Sequence, residues 1–557
     1  MKKRIYLFIY VVVCITLIGF LYHFPISGID DANIYFVYMR NFAAGNGFVY
    51  NVGGERVEGF TSILWTLMGS CFFKLTTHIE FCLMVINVLL LYVTLLIYVK
   101  IINQFIPVKK ESTNYTILFL GLLLVFPGFY EWNFYALLET GLWTFELALI
   151  CYLLIVPYFK KNVCLKKTSF VLSIFFPFFI LSRPESILLG LLIIAIRFIQ
   201  LMLEKESKVN ILQQITPLIT VYGLSLFLLT KWRLYYFGYP FPNTYYIKMT
   251  DGFINNLKEG ALYFLKYIFW TNPLLLLTIL LILLWLFKLY QKKEINKQTK
   301  IVGVLILLTA IGIVIPFYTG GDHFRLSRFY QAFAPIFYIS TLFILYSLFY
   351  ALKPLKIITH NNQNTFLLLL LLSLLPLHNI YYLFLHRDKT ILMEFNIAKH
   401  NRQVGNNLNA FFKNSPKPSI GVVAAGGIAY TYKGNINDVL GLNNTAVAHT
   451  FGNRPKDILK SHRAFNKAVF LKQLPDLFLF DIIKDTTTYI PYYKRQHIDD
   501  LFGSKVIKHI YKDAAFNKLY TFIYIYNIQL NEFICTYASN SFITTIKNDA
   551  QYKLFIP

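Results

Sequence analysis

The sequence predicts a polytopic α-helical membrane protein carrying a C-terminal extracytoplasmic α/β domain, and three observations predict it. Apolar segments of spanning length recur along the first two thirds of the chain, about eleven of them where a soluble protein shows one or two. Lysine clusters fall in every second linker between those segments. From about residue 387 charge returns and long apolar runs stop. Composition agrees, with 56% of the 557 residues hydrophobic, 18% aromatic and a mean hydropathy of +0.52.

The first apolar segment, 5–22, follows Met1-Lys2-Lys3-Arg4 and lacks a small-residue cleavage site, which predicts a retained signal anchor with its basic end in the cytoplasm. Further spans are predicted at 80–106, 115–130, 135–158, 168–182, 186–203, 211–231, 272–289, 300–317, 330–352 and 363–385. The segment 59–73 is apolar but short and interrupted, and reads as a helix lying in the interface. Counting it as a span would move the lysine-rich linkers to the outside, against the positive-inside rule. With it excluded, Lys109-Lys110, Lys160-Lys161, Lys166-Lys167, Lys205, Lys208, Lys292-Lys293, Lys353 and Lys356 fall on the cytoplasmic side. The opposite side receives 23–58, 131–139, 183–185, 232–256, 318–329 and everything after 386, which are the segments holding the unusual polar residues. Two domains follow, a membrane domain over 1–386 and a soluble extracytoplasmic domain over 387–557.

A net charge of +25 would ordinarily suggest nucleic acid. Here the Lys and Arg sit in short linkers, where they set topology and meet anionic lipid, so the expected partner is membrane lipid and no nucleic acid. Cys14, Cys71, Cys82, Cys151, Cys164 and Cys535 show no CxxC spacing and encode neither a disulfide framework nor a zinc site. In the soluble region, Ile391–Phe412 reads as a helix and Ser419–Ala424 as a buried strand that ends in the tight turn of Gly426-Gly427. Ala468–Leu471, Leu477–Phe480 and Tyr520–Ile528 read as further strands of a small α/β domain. A Gly-Gly pair alone is weak evidence for phosphate binding, and a simple turn is expected.

The chemistry lies in the outer loops. Asp30-Asp31 opens a helix-compatible run, Ala32–Ala44, that stops at Gly45-Asn46-Gly47. One Asp suffices to cap a helix or answer its dipole, and two exceed that need. Adjacent like charges raise one pKa, which suits a base that takes a proton from a sugar hydroxyl. Arg40, Glu55, Arg56 and Glu58 follow in the same loop, each alone reading as a solvated surface charge.

The run Asp30-Asp31-Ala32-Asn33-Ile34-Tyr35 through Arg40-Asn41, with Gly45-Asn46-Gly47-Phe48 and Val57-Glu58-Gly59-Phe60-Thr61-Ser62-Ile63-Leu64-Trp65, resembles the opening block of the mycobacterial terminal arabinofuranosyltransferases and their bacterial relatives in the GT-C superfamily. Leu138-Glu139-Thr140, Ser182-Arg183-Pro184-Glu185, Pro242-Asn243-Thr244-Tyr245-Tyr246-Ile247-Lys248 and Tyr318-Thr319-Gly320-Gly321-Asp322-His323 with Arg328-Phe329 resemble further blocks, in the family's order. Gly426-Gly427-Ile428-Ala429-Tyr430 and Asp438-Val439-Leu440-Gly441-Leu442-Asn443 resemble its extracytoplasmic region. The resemblance implies a GT-C fold and an inverting glycosyltransferase of the bacterial inner membrane, using a sugar on polyprenyl phosphate and an acceptor glycan, glycolipid or protein on the outer face. It implies Asp30 or Asp31 as the base, with a slight preference for Asp30, the first carboxylate of the motif. The departing phosphate needs cations in a water-excluding site, and Arg40, Lys248, His323, Arg325 and Arg328 are the candidates, with Arg183. Glu58, Trp65, Glu139, Arg183, Glu185, Asn243, Thr244, Tyr246 and Asp322 are candidates for holding substrate, and for Arg183 with Glu185 a local ion pair at a span end is an equal reading. Hard oxygen ligands such as Glu139, Asp322 and Glu58 would suit magnesium or manganese, although no spacing demands a divalent cation. Ser182, Ser62 and Asn443-Asn444 depart from the family pattern, so arabinofuranose is not implied as the sugar.

Two other classes stand beside this one. A transporter or flippase of lipid-linked saccharides would carry polar residues near the middle of its spans and often inverted repeats, and the sequence places its polar residues at span ends. A structural envelope protein would not require the carboxylate pair to ionise.

Overall fold

A computed structural model of the chain describes residues 2–126, 128–159, 165–248, 252–292, 296–352, 391–450, 462–483 and 505–556. The N-terminal part is helical. Among the described residues seven helices are long and apolar enough to cross a membrane: Lys3–Tyr22, Ile79–Phe105, Thr140–Phe159, Ser186–Leu203, Lys208–Phe237, Leu274–Gln291 and Lys297–Thr319. An eighth is reached if Lys109–Val125 and Gly128–Tyr135, bent by 76° at their junction, count as one broken span.

The expected eleven is therefore not reached among the described residues, for local reasons. The helix Leu165–Ser182 opens on Lys166-Lys167, which leaves an apolar run of about 22 Å at 1.5 Å per residue against a hydrocarbon core of about 30 Å. The helix Ala334–Leu352 is apolar over 19 residues and ends where the described residues end. The span expected at 363–385 lies outside the described residues. Ile63–Phe73 forms a helix of 11 residues, too short to cross.

Polar groups do occur inside the spans, unlike the sequence expectation. Arg197, in the Ser186–Leu203 helix, is fully buried and donates to Ser169 Oγ at 3.0 Å, Gln200 Oε1 at 2.9 Å and Gln214 Oε1 at 3.2 Å. Glu146 accepts from Ser182 Oγ at 2.7 Å. A helix whose apolar residues run all the way round does not reveal which of its polar residues turns inward, so these networks left no trace in the pattern.

A six-stranded mixed sheet lies between Ile420 and Phe555. Its strands are β1 (Ile420–Val422), β2 (Ile436–Asp438), β3 (Leu477–Ile483), β4 (Tyr520–Asn527), β5 (Glu532–Ser539) and β6 (Tyr552–Phe555), in the spatial order β2-β1-β3-β5-β4-β6. β1 runs parallel to β2 and β3, and the other pairings are antiparallel. The helix Leu392–Phe411 is tied to the sheet where the Phe411 carbonyl accepts from Asn527 Nδ2 at 2.8 Å and Tyr552 OH at 3.0 Å. The strand expected at 468–471 is instead part of the helix Lys467–Gln473, started by Asn466, whose side chain accepts from the Ala468 and Val469 amides.

This region is tied to residues of 27–59 and to Glu80 and Asn243. Arg402 donates to Asn33 Oδ1 at 2.5 Å, to Glu80 Oε1 at 2.7 Å and to the Ser27 carbonyl at 3.1 Å. Tyr38 OH reaches Asn443 Oδ1 at 3.0 Å, and Asn243 Nδ2 reaches the Gly441 carbonyl at 2.7 Å. Gly59 is needed at this seam, because a Cβ there would lie 2.0 Å from Asn443 Oδ1 and 2.7 Å from Tyr38 OH.

Candidate active site

A cavity of ≈ 320 Å³ is walled by residues from all six segments that lysine distribution sorts to one side of the membrane. Asp31, Glu139, Arg183, Lys248, Arg328 and Leu442 represent them in chain order. Most of the remaining wall is apolar, including Ile187, Leu188, Phe241 and Ile315.

The helix Asp30–Ala43 begins at the carboxylate pair, and Ile29 occupies the cap position with no side-chain bond. Its first turn separates the two acids. Asp30, 7% exposed, turns away from the cavity and accepts from the Gly426 amide (2.9 Å), the Gly427 amide (2.9 Å) and Asn401 Nδ2 (3.3 Å). Burial pushes its carboxyl up, opposed first by the Gly427 amide. Asp31 keeps a third of its side chain exposed, lines the cavity and stands 3.8 Å from Arg328 Nη1.

Three cations share that cavity. Arg328 Nε donates to Asp322 Oδ2 at 2.9 Å, and its guanidinium lies over the rings of Phe324 (4.6 Å), Phe329 (5.3 Å) and Trp132 (5.6 Å), which fixes the fork by cation–π attraction. Burial disfavours its charge, and Asp322 and Asp31 more than compensate. Arg183 bonds Glu139 through Nη1 and clasps Glu185 through Nη2 at 2.7 Å and Nε at 3.0 Å. Burial works against its charge too, and Glu185 and Glu139 overcome it. Lys248 ends the helix Asn243–Lys248 and is pushed below its usual value by burial and then by Arg328. Behind Glu139, Thr61 donates to Oε1 at 3.2 Å, while Tyr35 OH accepts from the Thr61 and Ser62 amides.

Of the residues singled out in the sequence, Asp31, Glu139, Arg183, Glu185, Thr244, Lys248 and Arg328 line this cavity, with Asp322 directly behind Arg328. The others serve elsewhere. Glu58 forms a buried pair with Arg233, Oε1 to Nη2 at 2.7 Å and Oε2 to Nε at 2.9 Å. Arg40 donates to the Tyr430 carbonyl at 2.7 Å. Trp65 is fully buried and donates to the Leu137 carbonyl, Asn243 is spent on the Gly441 carbonyl, and the Tyr246 ring rests on His449 at 4.1 Å. Arg325 is exposed and its carbonyl accepts from Trp132. Burial pushes the His323 imidazole down to about 4 against the pull of Asp322, so it is neutral at pH 7 and supplies no positive charge.

Sequence reasoning missed Arg233, Asn401, Arg402 and Glu394. Arg233 lies in the last turns of the helix Lys208–Phe237 and the other three in the helix Leu392–Phe411, and no local pattern marks the partner of any of them. Glu394, in the Leu392–Phe411 helix, is pushed up to about 7 by burial and by the nearby charges of Asp31 and Asp30.

Arg183 pairs with Glu139 and Glu185, and Arg328 with Asp322, while Glu139 Oε2 and Asp322 Oδ1 are buried without a hydrogen-bond partner among the described residues, and the three cationic side chains of the cavity oppose a dication. Among the described residues no three His, Cys, Asp or Glu side chains converge as a metal-ligand group.

No protein-family model matches the chain, and no curated protein does. The resemblance to the arabinofuranosyltransferases thus rests on the motifs. Among solved structures, the chain is similar to the oligosaccharyltransferase of Archaeoglobus fulgidus in its apo form, with a TM-score of 0.48 at 10% identity over 97% of this chain and 75% of that one. The same archaeal protein, AglB, in complex with an inhibitory peptide and a dolichol-phosphate, gives 0.47 at 10% identity over 99% and 76%. Its complex with Zn and sulfate gives 0.44 at 10% identity over 95% and 73%. At these scores the likeness carries no argument about fold or chemistry.

Proposed function

We propose that the chain is a GT-C-type inverting glycosyltransferase of the bacterial inner membrane that moves a sugar from polyprenyl phosphate to a glycan, glycolipid or protein on the outer face. The observation that carries this reading is the cavity itself, where one partly exposed carboxylate, Asp31, faces Arg183, Lys248 and Arg328 across an otherwise apolar space. A base and an anion site in one enclosure are what the transfer requires. In this reading residues 1–386 form the catalytic membrane domain and 387–557 the extracytoplasmic domain.

Asp31 accepts the proton of the acceptor hydroxyl. The freed oxygen attacks the anomeric carbon on the face opposite the phosphate, the bond from that carbon to the phosphate oxygen breaks, and the phosphate leaves with the electron pair. Arg328, Lys248 and Arg183 meet the charge that develops there. The two arginines are held before substrate arrives, Arg328 by Asp322 and its aromatic collar, Arg183 by Glu139 and Glu185, so little reorganisation is left for the reaction. The apolar wall excludes water, which would otherwise compete as acceptor. Asp30 is favoured by its place in the motif, but its oxygens are engaged by Gly426, Gly427 and Asn401, and Asp31 is the acid with access to substrate.

Mass spectrometry of envelope glycans and lipid-phosphate sugars in cells lacking the chain tests the reading. One glycan is expected to lack a residue while a polyprenyl-phosphate sugar accumulates. An unchanged envelope with a lipid-linked sugar trapped on the inner leaflet would point to a flippase.

A further inference from the structure

Asp30 is an acid that the proposed chemistry does not use, yet its surroundings are among the most elaborate in the molecule. Its two oxygens each take a backbone amide, Oδ2 from Gly426 and Oδ1 from Gly427, both at 2.9 Å, and Oδ1 also takes Asn401 Nδ2 at 3.3 Å. The approach leaves no room for a side chain on the far partner. A Cβ on Gly426 would lie 1.8 Å from the Asp30 carbonyl oxygen and 2.8 Å from its Cγ, and one on Gly427 would lie 2.4 Å from the Ala398 carbonyl oxygen. The sheet region thus presents a bare two-amide turn to one carboxylate of the first outer loop, 396 residues away in sequence.

We infer that Asp30 and the Gly426-Gly427 turn form a clasp that positions Asp31, making the sheet region part of the catalytic apparatus; this rests on Asp31 being the base. Successive residues of a helix are rotated by about 100°. Locking the Asp30 side chain toward the turn sets the rotation of the first turn, and Asp31 on the next step is thereby aimed into the cavity beside Arg328. The clasp also answers an electrostatic problem. Two adjacent carboxylates repel and burial pushes the Asp30 carboxyl up, and the two amide donors of the turn work against both. Asp30 is a positioning residue, not a catalytic one.

The geometry makes the two obvious variants informative. In Asp30→Asn the side chain offers one oxygen and one NH2 to two amide donors, so one bond is replaced by a donor facing a donor. Gly426→Ala drives the same contact apart from the other side. Displacing a reacting group by about 1 Å costs roughly 100-fold in rate.

The test uses the full-length chain in membranes from cells lacking it, supplied with the lipid-phosphate sugar pool extracted from those cells. Asp30→Asn and Gly426→Ala are each expected to lower kcat roughly 10- to 100-fold with KM within about twofold, and the double variant is expected to be no worse than the poorer single one, because both break one contact. Hydrogen exchange at the Gly426 and Gly427 amides should rise in Asp30→Asn. Should either variant fail to accumulate, Asn401→Ala removes only the third bond and is expected to show the same kcat-only loss in milder form. Activity of Asp30→Asn equal to the unaltered chain, a loss confined to KM, or unchanged exchange at 426–427 overturns the clasp, provided Asp31→Asn is inactive. Full activity of Asp31→Asn overturns instead the assignment of the base on which the clasp rests.

Discussion

Breaking the Glu58–Arg233 pair by Arg233→Met should destabilise the protein by about 3–5 kcal/mol, because it strands a buried carboxylate. Glu58 is 2% exposed, and the hydrogen bonds its carboxylate accepts among the described residues all come from Arg233, at 2.7, 2.9 and 3.3 Å. Burial pushes its carboxyl up, and Arg233 is the counterweight. Removing the arginine leaves burial unopposed, so the stranded group recovers part of the loss by taking up a proton as pH falls. The combination Glu58→Gln with Arg233→Met removes both charges and should cost less than the single change, since replacing a buried pair is often near neutral while breaking one is not. Denaturant titration in detergent, followed by tryptophan fluorescence, reads both numbers. Sugar transfer by the double variant reads the role, because a brace tolerates the exchange and a substrate ligand does not. A single variant within about 1 kcal/mol of the parent would refute the reasoning, since surface pairs are worth that much and buried ones more. So would a double variant as unstable as the single.

Lys248 is held below its usual value by burial and Arg328, so it sheds its proton earlier than a free lysine as pH rises, and transfer should fall on that alkaline limb. Lys248→Arg should keep activity at high pH, and Lys248→Met should lose roughly 100-fold or more below that limb, with the gap to the parent closing above it, checked by pH profiles of kcat. Glu394, raised to about 7, is protonated in the folded state and ionised in the unfolded chain between about pH 4.5 and 7. The folded state therefore binds more protons in that window, and stability should decline as pH rises through it, a slope that Glu394→Gln should flatten in thermal melts taken across the range.

The helical body was legible because apolar runs of spanning length need no partner to be recognised, and the sorting of loops by lysine placed all six cavity segments on one side. The number of spans was less legible, since the helix Leu165–Ser182 carries Lys166-Lys167 in its first turn and the run at 363–385 lies outside the described residues. In the C-terminal region, apolar stretches revealed β3 and β4, whereas Ala468–Leu471 read as a strand because its helix depends on the Asn466 cap just upstream. At the cavity, the motifs named segments that line it without saying which way each side chain turns. Asp30 and Asp31 are neighbours in sequence with opposite fates, and the Gly426-Gly427 turn that separates them lies almost 400 residues away. Glu58 read as a surface acid because Arg233, its partner, sits 175 residues on at the end of a long helix. The amides of the turn do bind an acid, and it is the protein's own Asp30 carboxyl.

Replacing Asp31 by Asn in cells that carry no other copy, and following lipid-phosphate sugars and envelope glycans together by mass spectrometry, addresses the proposed base most directly. The carboxamide fits the same space beside Arg328 but accepts no proton, and general-base loss removes roughly 100- to 10,000-fold in rate. The account predicts a protein that accumulates normally in the membrane, a donor pool that builds up and an acceptor glycan left unfinished. Normal glycan with no donor build-up would contradict it.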